Sequence, residues 1–433
     1  MKILRSPTKL MASSVICTAP VDAYSVSNCA NGSASRRSWT VLIMSAPSLL
    51  LGACTALPTS PPSTFVAAPA CATASARISF DFESASQSRC VIEGERDFTI
   101  LVSPEHAPPI NPSPWYAFRY SIEPGGDVAI GLEYLEGRHR YVPKREAAGA
   151  SDPLTVTQSD VGNRATFSLA PGTGRISAQE IFDSARYDRT ISKLQRLPFF
   201  QLVELGHSLE GRPIEGLRMG RKDAPNLIVL LGRAHPPEVS GAVAMEAFMN
   251  ELAAIYEEGG LDPHILQVLA VPQLNPDGVA RGHWRANLGG VDLNRDWGVF
   301  SQPETSSVAK WLNELEPTIS PMAMIDFHST RKNLFYVQGA DETDLNQERF
   351  LQQWLGSQLN RVEGYPFTIE RRNANPGSGT AKNWFYAQYG IPSYTYEVAD
   401  EADREAVSSA ARILARGLPA AIRGSLLSAG QGK

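Results

Sequence analysis

The chain has 433 residues, 43% of them hydrophobic and 20% charged, which is enough apolar content for buried cores and enough length for two or three domains. Lysine and arginine total 40 against 45 aspartates and glutamates, a net charge of −5, so the overall charge gives no reason to expect a nucleic-acid partner. The longest apolar run falls far short of the roughly 20 residues that cross a bilayer, and the last of the five cysteines is Cys90, which excludes a cysteine nucleophile or a thiolate metal site from residue 91 onward.

In chain order, residues 1–54 read as an export segment. Arg36-Arg37 precede an apolar stretch from Trp39 to Leu51, which has the length and flank of a secretory signal rather than of a spanning helix. It ends in Leu51-Gly52-Ala53-Cys54, which resembles the lipobox of bacterial lipoproteins and implies a lipid on Cys54 as the membrane attachment. Ordinary secretion, a twin-arginine signal and a chance apolar segment are the alternatives. The three signal readings place the mature protein outside the cytoplasm, in a bacterial periplasm or cell envelope. Residues 55–76, rich in Pro, Ala, Ser and Thr, read as a flexible linker. An oxidising compartment would permit Cys71 and Cys90 to pair.

From residue 77 to 176, short β-rich runs alternate with turn residues: Ile78 to Phe82, Phe98 to Val102, Trp115 to Tyr120, Val128 to Leu132 and Ala165 to Leu169. This spacing predicts an antiparallel β-sandwich. It carries no catalytic cluster, and its isolated His106 and His139 read as surface residues. Residues 177–197 read as a helical connector. Residues 198–425 then alternate strands with longer helices. Strands are expected at Leu227 to Leu231, Leu266 to Val271, Met322 to Phe327 and Tyr394 to Val398, and helices at Val239 to Tyr256, Thr305 to Leu315, Leu345 to Leu359 and Glu401 to Leu418. The pattern predicts an α/β domain, a mixed β-sheet with helices on both faces and the site at the strand ends.

At one such end stands His235-Pro-Pro-Glu238. Alone, so short a motif reads more simply as a surface pair. His328 follows a second strand, however, and two histidines with one glutamate leave a fourth position open for water, as hydrolytic zinc requires. Read in order with Leu205-Gly-His-Ser-Leu-Glu-Gly-Arg-Pro-Ile214, Asn275-Pro-Asp-Gly278, Trp284-Arg-Ala-Asn287, Gly290-Val-Asp-Leu-Asn-Arg-Asp-Trp297, Pro303-Glu304, Asp326-Phe-His328 and Tyr396-Glu397, the chain resembles the zinc carboxypeptidase (M14-type) family from about Leu205 to Asp400.

The resemblance implies one Zn²⁺ held by His235, Glu238 and His328, with Asp292 orienting His235. It implies Glu397 as general base, Arg285 as the cation that stabilises the oxyanion, and Asn294 with Arg295 as the grip on the free carboxylate of a peptide or protein C-terminus. His207, His264 and His283 have no such counterpart and read as surface or structural residues, and Trp284 and Trp297 as packing groups. Where many family members carry a tyrosine before the specificity loop, this chain has Asn375, with Tyr386 or Tyr389 as candidate replacements. Lys382 falls at the base of the pocket for the terminal side chain, which favours an acidic residue, glutamate first. Ser113-Pro-Trp-Tyr-Ala-Phe-Arg119 and His139-Arg-Tyr141 extend the resemblance to the cytosolic carboxypeptidase branch, whose members carry an amino-terminal β-sandwich and remove C-terminal glutamates. Two other readings stay open: hydrolysis of wall peptides containing D-Glu and diaminopimelate, and a zinc-free peptide-binding module.

Overall fold

The computed structural model describes residues 71–431 except 110, 148–149 and 376. The export segment at 1–54, the Cys54 lipidation position and the linker up to residue 70 lie outside the described residues. A strand at Cys71–Ala72 falls inside the stretch that reads as linker. A disulfide to Cys90, with the two Cα atoms 5.8 Å apart, ties it to the next sheet.

Two sheets form the β domain. One has six antiparallel strands, in the order Cys71–Ala72, Ala76–Ser79, Ala117–Ile122, Gly172–Ser177, Lys144–Ala147 and Ala150–Pro153. The other has five, in the order Arg89–Gly94, Asp97–Val102, Val128–Tyr134, Arg164–Leu169 and Thr157–Gln158. Strand alternation points Phe98, Ile100 and Val102 inward from one sheet, and Phe118, Tyr120 and Ile122 from the other, into a shared core. The expected all-antiparallel arrangement fails at one pair, because Asp97–Val102 runs parallel to Val128–Tyr134. Between them the chain crosses to the other sheet as Ala117–Ile122, and such a crossover brings the returning strand back in the same direction. Of the expected helical connector, only Ser184–Leu194 is helix; it starts where the Asp183 side chain accepts the Arg186 N–H and buries Tyr187, Ile191 and Leu194.

The second sheet region has eight strands in the order Phe200–His207, Pro213–Met219, Leu266–Val271, Asn226–Gly232, Ser320–Thr330, Ser393–Ala399, Leu334–Val337 and Thr368–Arg371. The four from Leu266–Val271 to Ser393–Ala399 are mutually parallel. Along Asn226–Gly232, Leu227, Val229 and Leu231 pack with the helices Pro303–Asn313 and Ala381–Tyr389, while Ile228 and Leu230 pack with Val239–Glu257 and Arg404–Gln431. Both faces are therefore covered, as a continuous apolar strand demands. The four outer strands were not expected: Phe200–His207 and Thr368–Arg371, for example, are partly exposed along their length and lack an apolar run. The last helix runs past Pro419 to Gln431, because Ala421 and Ile422 beyond the proline are buried and hold it in place. The expected helix at 345–359 is regular only to Leu351. A wider turn at Gln352–Gly356 then buries Trp354, whose indole N–H donates to the Leu414 carbonyl at 2.8 Å.

Candidate metal centre and substrate cavity

His235 follows the end of the strand Asn226–Gly232, and Glu238 occupies the cap position of the helix Val239–Glu257 without capping it. Its carboxylate is engaged elsewhere: Oε1 lies 2.8 Å from His235 Nδ1 and Oε2 lies 2.7 Å from His328 Nδ1. His328 sits in Ser320–Thr330, where it is the register partner of Glu397 on the neighbouring parallel strand. Gly241 lets the helix close on that strand, since a Cβ there would lie 2.5 Å from the His328 carbonyl oxygen. Gly241→Ala is accordingly expected to cost about 1–3 kcal/mol of stability through overpacking and to weaken zinc binding by separating Glu238 from His328. Thermal denaturation and a zinc titration check this, and unchanged values in both would contradict it.

The outer nitrogens of the two histidines are also engaged. His235 Nε2 lies 2.9 Å from Asp292 Oδ1, and His328 Nε2 lies 2.7 Å from Asp326 Oδ2. Carboxylates at these positions hold each ring N–H on Nε2 and turn the Nδ1 lone pairs inward toward Glu238. The three candidate ligand atoms lie within 4.8 Å of one another and all three residues are buried. Electron-rich atoms facing each other away from water need a cation between them, and two imidazoles with one carboxylate suit zinc.

Burial raises the Asp292 pKa, but His235 and Arg285 together outweigh it and hold the carboxyl well below the usual range. Asp292 also accepts the Asn294 N–H at 2.9 Å and Arg285 Nε–H at 2.7 Å, so it joins the metal centre to the turn Leu293–Arg295. Burial pushes Glu397 up to about 7, against the pull of His328. Its Oε2 is buried and, among the described residues, has no hydrogen-bond partner.

A cavity of about 770 Å³ opens over this centre. His235, Glu238, Arg285, Asn294, Arg295, His328, Lys382 and Glu397 all line it, and Asp292 stands behind His235. Asn294 is held by its Oδ1, which accepts the Ala381 N–H at 3.0 Å, and its Nδ2 lies 3.3 Å from His328 Nε2. Lys382 is buried, and its ammonium donates to the Arg372 carbonyl at 3.0 Å. Burial pushes it down to about 8, with Glu342 pulling the other way.

Sequence reasoning missed several lining residues. Asn375 does line the cavity, but neither candidate tyrosine replaces the family residue there: the Tyr386 hydroxyl donates to the Glu342 carbonyl at 2.6 Å, and Tyr389 packs on Trp384. The cavity tyrosine is Tyr336, on a short strand paired beside Thr395. Arg331 and Arg372 reach the same space. Arg140 enters it from the β domain, held by Asp400 at 2.9 Å and Ser113 at 2.6 Å. Asp326 carried a usable signal, since a residue two positions before His328 on a strand shares its face. His139 is half-buried rather than on the surface, with Nδ1 2.7 Å from the Tyr134 hydroxyl. His283 is buried and bonds the Ala286 carbonyl at 2.9 Å, and Trp284 and Trp297 are packed. Arg233, also unforeseen, is a buried cation whose donors reach the Pro236 and Phe182 carbonyls, pinning the turn that carries His235 to the connector.

Residues 189–417, more than half of the chain, match the zinc carboxypeptidase family model. The chain is 27% identical over 178 residues to cytosolic carboxypeptidase 2 of Danio rerio, covering 36% of this chain and 25% of that protein. It is 26% identical over 231 residues to cytosolic carboxypeptidase 6 of Mus musculus, covering 49% of this chain and 42% of that protein. It thus spans less than half the length of either relative. The crystal structure of a metallo-carboxypeptidase from Burkholderia cenocepacia shares the fold, with a TM-score of 0.66 at 20% identity over 82% of this chain and 99% of that one. With His235, Glu238 and His328 supplying the zinc site and the family model spanning both strand ends that carry them, the chain belongs to the zinc carboxypeptidase family.

Proposed function

We propose that this protein hydrolyses the last peptide bond of peptides and prefers an acidic terminal residue, glutamate first. The observation that carries this reading is the charge of the cavity. Its described lining holds Arg140, Arg285, Arg295, Arg331, Arg372 and Lys382 against only two carboxylates, Glu238 and Glu397, both beside the metal centre. Clustered cations in a partly dry cleft favour an anionic ligand.

Zinc, when bound, acidifies water and polarises the scissile carbonyl. Glu397, whose Oε2 has no hydrogen-bond partner among the described residues, takes the proton and passes it to the leaving amine. Arg285 offers its guanidinium to the developing oxyanion. Arg295, with Asn294 beside it, takes the substrate's free carboxylate in a two-pronged bond, which restricts cleavage to the chain end. Lys382 meets the terminal side chain. Among the described residues no carboxylate forms an ion pair with it, and the Glu342 carboxylate is taken up by the Ala374 N–H. A buried ammonium in that position is best satisfied by an acidic substrate.

We further place the protein outside the cytoplasm, a reading supported by the export-type segment at 1–54 and by the Cys71–Cys90 disulfide. Zinc-loaded protein incubated with a peptide ending in glutamate should release single C-terminal residues by mass spectrometry. Chelation should stop release and added zinc should restore it. Internal cleavage, or release indifferent to the chelator, would contradict the reading. Faster cleavage of D-Glu/diaminopimelate peptides would favour a wall substrate instead.

A further inference from the structure

Arg285 lies on a stretch of chain with no regular structure of its own. The helix Pro276–Arg281 ends at Gly282, which is left-handed at φ 63°, and the next regular turn begins at Leu293. Three successive backbone N–H groups, those of Trp284, Arg285 and Ala286, point toward the β domain. One side chain there accepts all three: Glu105 Oε2 takes Trp284 at 2.7 Å, and Oε1 takes Arg285 at 3.0 Å and Ala286 at 2.6 Å. The Glu105 side chain is only 6% exposed, and His106 Nδ1 lies 4.0 Å from its Oε1. Consecutive N–H groups converging on one anion form a nest, and a carboxylate in it is bound more firmly than a neutral acceptor.

We propose that Glu105 is a positioning residue for catalysis, which fixes the backbone on both sides of Arg285 and so sets where its guanidinium meets the oxyanion. The inference rests on the role proposed above for Arg285. With its Cα held from the β domain, the Arg285 side chain reaches back and donates from Nε to Asp292 Oδ2 at 2.7 Å, and Asp292 in turn orients His235. Glu105, Arg285, Asp292 and His235 thus form one chain of contacts across the junction of the two parts. The junction is tight beside it. Ser84 N–H donates to the Ala280 carbonyl at 2.9 Å, the Trp115 indole N–H donates to the Ser84 carbonyl at 2.8 Å, and a Cβ on Gly282 would collide with the Ala85 carbonyl oxygen. The β domain on this account completes the catalytic apparatus.

The test is a double-mutant cycle on the full chain, using whichever peptide ending in Glu, Phe or Arg the unmodified protein cleaves fastest. Glu105→Ala is expected to lower kcat about 10- to 100-fold, somewhat less than removal of an oxyanion donor itself, with KM changed no more than about threefold. Glu105→Gln keeps one carbonyl oxygen for two of the three N–H groups and should lose less than about tenfold. In an Arg285→Ala background both substitutions should cost nothing further in kcat, because they act through the missing side chain. Zinc content and melting temperature are measured on each variant; should Glu105→Ala fail to fold, the same cycle is read from Glu105→Gln. Equal losses in both backgrounds, or an unchanged kcat in Glu105→Ala beside an impaired Arg285→Ala, would overturn the role of Glu105 alone. An unimpaired Arg285→Ala would instead overturn the role of Arg285, and the inference with it.

Discussion

Glu397→Gln is expected to lower kcat by about 10²–10⁴-fold, the range that a positioned general base contributes, while zinc content and peptide affinity stay close to those of the unmodified protein. The substitution keeps the shape of the side chain and removes only its capacity to take a proton. Glu397 is suited to that task by its surroundings: the residue is half-buried, its Oε2 is shielded and has no partner among the described residues, and burial pushes its pKa up to about 7. Its neighbour in the sheet is the metal ligand His328, so the base and the zinc site are fixed by one pair of parallel strands. Steady-state kinetics with metal analysis on the same preparation check the expectation. A variant that kept its zinc and its rate would remove Glu397 from the chemistry. A variant that lost its zinc would show that the residue holds the site together instead.

The second large effect concerns selectivity. Lys382→Met should lower kcat/KM for peptides ending in glutamate by about 10- to 100-fold, the worth of a charge-assisted hydrogen bond in a desolvated place, and leave peptides ending in phenylalanine within a few-fold. The pH dependence supplies an independent signature. Burial pushes Lys382 down to about 8, so its ammonium is charged below that pH and neutral above it. Because kcat/KM reports ionisations of the free enzyme, the preference for Glu over Phe should be full below pH 8 and fall as pH rises through it. In Lys382→Met the preference should be smaller and flat across the same range. A preference unchanged by the substitution would place selectivity elsewhere, with Arg140, Arg331 and Arg372 the described cavity cations to which no other role is given above.

The metal ligands were legible because they sit where two kinds of pattern meet. His235 and His328 each close or follow a strongly apolar strand, and such strand ends in a parallel sheet point side chains at a common place. The central strands were legible for the same reason, being buried on both faces. What was lost shares a different cause. Tyr336 lies on Leu334–Val337, one strand in from the sheet edge, and Thr368–Arg371 is the partly exposed edge strand; at four residues each, neither is long enough for its pattern to separate it from a loop. Arg140 and Glu105 are ordinary charged residues of the β domain until that domain docks, and their partners Asp400 and Trp284 to Ala286 are about 180 or more positions away in sequence. The parallel pair in the β domain escaped because strand patterns carry no record of which sheet a chain visits between two strands. Lys382 was found through its place in the specificity loop, yet its buried setting, and the absence of an ion-pair partner among the described residues, came from the structure.

The most direct measurement compares two peptides identical except for a final Glu or Gln, cleaved by the zinc-loaded protein below pH 8. The pair matches in size and shape and differs only in the charge that the cavity is proposed to select. The account predicts a kcat/KM at least about tenfold higher for the Glu peptide, a difference of about 1.4 kcal/mol or more. Equal rates, or faster cleavage of the Gln peptide, would contradict it.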